Sequence, residues 1–337
     1  MSLTVLGIES SCDETSAAVV RGHHVLSNVV ASQMEMHQIW GGVVPEAAAR
    51  AHVESIVPVI HQALNEARVR PNDLDGIGVT HCPGLVGALS VGVTAAKTLS
   101  LVWGKPLVGV HHLHGHLVSP RAVLADSSEP ERSLPFPYLA LLVSGGHTEL
   151  VEVRGPLEFQ LLGQTIDDAA GEAFDKGARL LGLGYPGGRA IQERARTGRA
   201  DRYSLPRALR DDPTRFSFSG LKTAVLRLVE KERDRLDIDD AAASLQQAIV
   251  DALAQKTLSV LESGSYRALT LVGGVAANEL LRETLRQGAE QLGARFACPP
   301  LSLCTDNAAM IALVAEIRLA QGERDDLSLD CASSAPI

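Results

Sequence analysis

VLGIESSCDETSAAVVRG (residues 5–22) lies over YLALLVSGGHTELVEVRG (138–155) without a gap, at an offset of 133 residues. Six of the eighteen pairs are identical: Leu6/Leu139, Ser11/Ser144, Thr15/Thr148, Val20/Val153, Arg21/Arg154 and Gly22/Gly155. Each copy is an apolar run, a polar turn and a second apolar run, the pattern of two buried strands joined by a short connection. Hairpins share such patterns for local reasons too. Self-similarity at a fixed offset is nevertheless the mark of a repeated unit, and it predicts two lobes built alike.

An α/β pattern follows each copy. In the first half, 44–69 reads as a helix with Pro45 near its start, 76–80 as a strand, 87–104 as a helix and 106–110 as a strand. The stretch 125–137, rich in Ser, Pro and charge, reads as a linker. In the second half, 169–183, 222–236, 241–262 and 276–292 read as helices, 185–188 as a turn and 268–274 as a strand. A last helix covers 306–322. Strands alternating with helices give an α/β fold class.

The bulk properties bound the function. A chain of 337 residues suggests two domains and an ample core. Aromatics are only 4%, so Ala, Val, Leu and Ile must build that core. Five cysteines, with no CxxC, read as reduced thiols in a cytoplasmic protein. The first residues carry no basic region before their apolar run, so no signal peptide is expected, and no run reaches the roughly 18 apolar residues of a membrane span. A net charge of −9 argues against general nucleic-acid binding, though not against a local basic patch.

Chemistry concentrates in a few places. GVHHLHGHLVSP (109–120) holds His111, His112, His114 and His116. Residues four apart share a helix face, so His112 and His116 can reach one metal ion, while His111 and His114 face elsewhere. HxxxH lacks the glutamate of HExxH, which leaves a zinc peptidase without its base. Asp306, at the start of the last helix, offers a third ligand; on residue type alone an N-cap is the better reading of it. Ser144, Gly145 and Gly146 form a turn whose bare backbone suits a phosphate or carboxylate, and a tight hairpin turn explains it as well. LVGGVAAN (271–278) is a strand, a glycine pair and a helix start without GxGxxG or a Walker pattern. Asp175 lies inside a helix, where capping cannot explain it, so a ligand or salt-bridge role gains weight. Between 192 and 222 lie Arg194, Arg196, Arg199, Arg202, Arg207, Arg210 and Arg215, with Tyr203, Phe216 and Phe218 among them. A solvated charged segment comes first there; local RNA contact is the second reading.

Taken in order, GIESSCDETSAA, GGVVPEAAARAH, KTLSLVWGKPLVGVHHLHGHL, LLVSGGHT, IDDAAGEAFDK, YPGG, FSFSGLKTA, LVGGVAAN and CTDNAAMIA resemble the TsaD family along nearly the whole chain. That family, once called O-sialoglycoprotease, is the catalytic subunit of tRNA threonylcarbamoyladenosine synthesis. The resemblance implies the actin/Hsp70/sugar-kinase fold, with two duplicated RNase H-like lobes around a nucleotide cleft. It implies a first lobe of 1–134 plus 305–337 carrying the metal ligands, and a second of 135–304 carrying the adenylate loops. It implies one divalent metal ion, Fe²⁺ ahead of Zn²⁺, on His112, His116 and Asp306. It implies substrate contacts at Leu142, Val143, Ser144, Gly145, Gly146, Asp175, Gly188 and Asn278.

The activity so implied is acyl transfer from threonylcarbamoyl-AMP to the exocyclic amine of the adenosine 3′ of the anticodon, in tRNAs reading ANN codons, with AMP released. Glu14 in SCDET is the candidate general base. The implied partners are tRNA, a paralogous TsaB-like subunit and a TsaE-like P-loop ATPase, with no membrane. The chain differs from the family's pattern at Cys82, at Arg189 and in a C-terminus without a basic tail. Two other readings compete. A phosphotransferase of the same fold would give the histidine pair no role, and a non-catalytic scaffold paralogue would not be expected to keep His112, His116 and Asp306 together.

Overall fold

The computed structural model describes residues 2–124 and 134–337, so most of the expected linker (125–133) lies outside the described residues. The chain divides into two compact units, Met1–Leu134 with Pro299–Ile337, and Pro135–Cys298. The second crossing therefore falls six residues before the expected boundary at 304/305.

The first unit contains β1 (Thr4–Glu9), β2 (Glu14–Arg21), β3 (His24–Ser32), α1 (Met34–Gln38), α2 (Pro45–Ala67), β4 (Gly76–Cys82), α3 (Val86–Trp103), β5 (Leu107–His111), α4 (His112–Val118) and β6 (Val123–Leu124). Its sheet runs β5-β4-β1-β2-β3-β6. β1 pairs antiparallel with β2 and parallel with β4, and β4 parallel with β5. The second unit contains β7 (Tyr138–Val143), β8 (Thr148–Gly155), β9 (Glu158–Gln164), α5 (Ala170–Leu180), α6 (Gly187–Ala195), α7 (Ser219–Glu232), α8 (Ile238–Ser263), β10 (Ala268–Val272), α9 (Glu279–Gln291) and β11 (Arg295–Ala297). Its sheet runs β11-β10-β7-β8-β9, with the same senses at every equivalent pair. The repeated hairpin is thus the centre of two sheets of one topology. The sequence reading stopped at two strands per copy; each copy has a third, β3 and β9, whose mixed burial hides its period.

The last helix, α10 (Ala308–Ala320), belongs to the first unit. It lies directly on the sheet because β1 and β4 offer glycines beneath it. A Cβ on Gly7 would stand 2.3 Å from the Ala308 carbonyl oxygen, and one on Gly78 2.3 Å from the Ala315 Cβ. α2 and α3 close the core of Leu6, Ile8, Ile56, Ile60, Ile77, Val79 and Val93. α3 is the one helix among the described residues long and apolar enough to cross a membrane.

Candidate metal centre and phosphate turns

In each unit the parallel strands end at the same edge, and the chemistry collects there, as expected for sheets of this kind. In the first unit β5 ends in His111, whose Nδ1 accepts the Leu113 N–H (3.2 Å) and caps α4. That cap fixes where α4 starts, and the helix then places His112 and His116 one turn apart, with ring centroids 4.8 Å apart and planes at 89°. Asp306 reaches both. Its Oδ1 lies 3.1 Å from His116 Nε2 and 3.4 Å from His112 Nε2. The three ligand atoms sit within 4.8 Å of one another.

Asp306 is not the N-cap of α10. Asn307 is, accepting the Met310 N–H at 3.1 Å. The cap comes one residue later than the sequence suggested, and this leaves the Asp306 carboxylate for the histidines. Gly115 accounts for the close approach of the two helices, since a Cβ there would stand 2.9 Å from Met310 Cγ.

Behind the histidines lies a residue the sequence reading missed. Glu9, at the end of β1, is fully buried. It accepts from the Ser11 N–H (2.5 Å) and the Thr80 hydroxyl (2.6 Å), and sits 3.0 Å from His112 Nδ1. A carboxylate at Nδ1 puts the proton there and leaves Nε2 to face Asp306, the carboxylate–histidine arrangement of metal sites. The signal was available: a charged residue closing the otherwise apolar strand TVLGIE. His116 has no such support, for its Nδ1 is buried without a hydrogen-bond partner among the described residues.

The charges reinforce one another. Burial acts to raise the Asp306 carboxyl, but His112 and then His116 hold it well below the usual range. Burial acts to lower His112, but Asp306 and Glu9 hold it well above its ordinary value. The site thus sets two carboxylates about the His112 imidazole, and its two nitrogens and one oxygen form a donor set that suits Fe²⁺ or Zn²⁺. Burial, then repulsion from Asp13 and Asp306, pushes the Glu14 carboxyl up to about 9. Its Oε1 accepts the Ser32 hydroxyl (3.2 Å).

In the second unit the turn after β7 is closed by the His147 N–H donating to Ser144 Oγ (3.1 Å) and the Ser144 N–H donating to the His147 carbonyl (2.8 Å). Gly145 and Gly146 face open space. α5 begins against this turn, a Cβ on Gly171 standing 2.4 Å from the Ser144 carbonyl oxygen. Beside it, Gly273 at the end of β10 adopts φ +90° and packs on the Val143 carbonyl. Two glycine turns and a helix N-terminus therefore meet at one edge, with bare backbone of the kind that suits an anion. Leu142 and Val143 are fully buried strand residues that support it from below. Asp175 accepts the Gly187 N–H (2.8 Å) and so ties the start of α6 to α5, with Gly188 next to it and open to approach. Asn278 is the N-cap of α9, accepting from the Leu281 N–H (3.0 Å) and donating to Gln246 (2.9 Å).

The family model described as TsaD, tRNA N6-adenosine threonylcarbamoyltransferase, matches residues 24–313. The chain is 53% identical over 334 residues to the tRNA N6-adenosine threonylcarbamoyltransferase of Magnetococcus marinus, covering 96% of this chain and 94% of that one. It is 49% identical over 359 residues to the protein of the same name from Thermomicrobium roseum, covering 99% and 97%. The chain belongs to the TsaD family. Among solved structures, HypF of T. kodakarensis matches with a TM-score of 0.63 at 14% identity, over 95% of this chain and 48% of that one. Component A of the Acidaminococcus fermentans (R)-2-hydroxyglutaryl-CoA dehydratase matches with a TM-score of 0.55 at 16% identity, over 94% and 99%. At such identities these likenesses speak for fold alone, and that fold is the two-lobed α/β class of actin, Hsp70 and sugar kinases.

Two TsaD motifs that the sequence left apart are joined by hydrogen bonds. Asp167 of IDDAAGE accepts from the Phe218 N–H (2.8 Å) and from the Ser217 and Ser219 hydroxyls (2.5 and 2.9 Å) of FSFSG, and so holds the start of α7. The arginine-rich segment is less open than its composition suggested. Arg194, Arg196, Arg207 and Arg215 pair with Asp239, Glu279, Asp251 and Asp212. Phe216 and Phe218 are buried, so they offer no ring to a base.

Proposed function

We propose that the chain carries out the TsaD reaction with its two glycine turns holding the adenylate and its His112–His116–Asp306 group holding a divalent ion. The observation that carries this reading is the convergence of both Nε2 atoms on Asp306 Oδ1, with Glu9 fixing His112 from behind. When bound there, Fe²⁺ or Zn²⁺ supplies Lewis acidity for an acyl carbonyl. The chain's residues do the rest. The Gly145 and Gly146 backbone and the α5 N-terminus bind the phosphate of threonylcarbamoyl-AMP. Holding donor and acceptor together offsets the weak nucleophilicity of an amine conjugated with the adenine ring. The amine nitrogen forms the new bond to the carbonyl carbon, the bond from that carbon to the phosphate oxygen breaks, and AMP leaves with the electron pair. The amine proton goes to a base, and Glu14 is the proposed one. A carboxyl at about 9 is protonated at neutral pH, so Glu14 can accept only when nearby positive charge outweighs its burial as well as Asp13 and Asp306.

The partners fit the same reading. Val53 and Val57 on α2 and Leu101 and Val102 on α3 are exposed, while Val93 and Ala96 of α3 lie in the core. These exposed apolar residues of α2 and α3 are the proposed docking site of a TsaB-like subunit, with a TsaE-like ATPase acting on the pair. For a protein that acts on tRNA, the proposed location is the cytoplasm.

The test is reconstitution. The purified chain is incubated with bacterial partner subunits, threonylcarbamoyl-AMP and unmodified tRNA, and the nucleosides are analysed. Wild type yields threonylcarbamoyladenosine, and His112→Ala with His116→Ala does not. Full activity in that double variant removes the metal-holding role. No product from wild type brings back the phosphotransferase reading.

A further inference from the structure

The segment 33–44 presents an apolar tip. Ile39 is 82% exposed and Trp40 is 70% exposed, in a chain with only two tryptophans. Beneath the tip, His37 is fully buried. Its Nδ1 accepts the Val44 N–H (3.2 Å), its Nε2 donates to Gln33 Oε1 (3.1 Å), and its carbonyl accepts the N–H groups of Trp40 (3.0 Å) and Gly42 (3.3 Å). A buried, fully used imidazole thus forms the stem of an exposed indole. The stem is also tied to the site. The Gln33 N–H donates to the Asp13 carbonyl (3.0 Å), and the neighbouring Ser32 hydroxyl donates to Glu14 (3.2 Å), so tip, stem and the start of β2 form one hydrogen-bonded piece.

We propose that Trp40, backed by Ile39, is a stacking platform for an unpaired nucleobase of the tRNA, next to the adenosine that is modified. The proposal rests on the function proposed above. The local charge selects a base face over a phosphate. Glu35 lies on the stem, and Glu46 just beyond it pairs with Arg50 (2.7 Å), so phosphates gain nothing here. A single-stranded base offers a flat π-face to an exposed indole whatever its identity.

The experiment uses the full chain in a Trp103→Phe background, where Trp40 is the only tryptophan. An unmodified anticodon stem-loop is titrated in while emission is followed. Saturable quenching is expected, absent with a fully paired RNA duplex. In the reconstituted assay Trp40→Ala raises KM for tRNA about tenfold or more, with kcat at saturating tRNA kept and the salt dependence of binding unchanged. Trp40→Phe recovers most of the loss. Absent quenching together with an unchanged KM overturns the proposal. So does a Trp40→Ala defect confined to binding a partner subunit, which would make the tip a protein contact. The titration needs no turnover, so its outcome stands apart from failure of the proposed reaction.

Discussion

The HxxxH spacing of His112 and His116 was legible because helix geometry alone puts them on one face. Asp306 was legible as a ligand only through the family resemblance, because Asp306 and Asn307 are adjacent and either residue type caps a helix; the observed bond to the Met310 N–H decides between them. Glu9 was legible in kind, as a charge in a buried strand, but not in role, since its partner His112 is 103 residues away. Glu9→Gln keeps a hydrogen-bonding group at Nδ1 and removes the charge. Metal titration of the purified variant should show affinity lowered about 10–100-fold, with the far-ultraviolet circular dichroism unchanged. Glu149 is a second buried acid, with Oε2 unpaired among the described residues, and burial pushes it up to about 7. Its folded value lies above its unfolded one, so its share of stability is complete below about pH 4.5 and is lost as pH rises to about 7, a swing of roughly 3 kcal/mol at most. Glu149→Gln should therefore be more stable than wild type at pH 8 and gain little at pH 4.5, as urea melts at the two values would show.

At the scale of elements, the strands and long helices were readable because their apolar runs or helical periods are strong, while short pieces such as β9 and α6 were not. What the sequence could not show is that α10 lies on β1 at glycine distance. That contact carries the site, because Asp306 sits two residues before α10 begins. Gly7→Ala would drive a methyl into the Ala308 carbonyl, a backbone atom that cannot rotate away. The helix start must shift, at a cost of about 1–3 kcal/mol. Melting temperature and metal affinity should fall together in Gly7→Ala, although Gly7 touches no ligand. An unchanged metal affinity beside a lowered melting temperature would show that the ligand group does not depend on the seating of α10.

At the scale of the molecule, one topology is used twice and furnished differently at the same edge of each sheet. Where β1 ends in Glu9 and leads on to Glu14 at the start of β2, its counterpart β7 leads into Ser144, Gly145 and Gly146; where β4 carries Thr80 near its end, β10 leads into Gly273. The repeat was visible in part because its hairpin is the sheet centre, where burial limits the residue types at positions such as Leu6/Leu139, Thr15/Thr148 and Val20/Val153. The division of labour was not, because it depends on which polar residues each copy added at its strand ends. Two chemistries on two units should be separable. Gly145→Val points into open space, so the fold has no reason to change, and the added side chain stands at the position proposed for the adenylate phosphate. That variant should lose AMP binding by calorimetry while keeping its metal content. His112→Ala with His116→Ala should do the reverse, losing metal and keeping AMP. If AMP binding instead falls with the histidines, the nucleotide is held through the ion, and the second unit's turns are not sufficient to bind it.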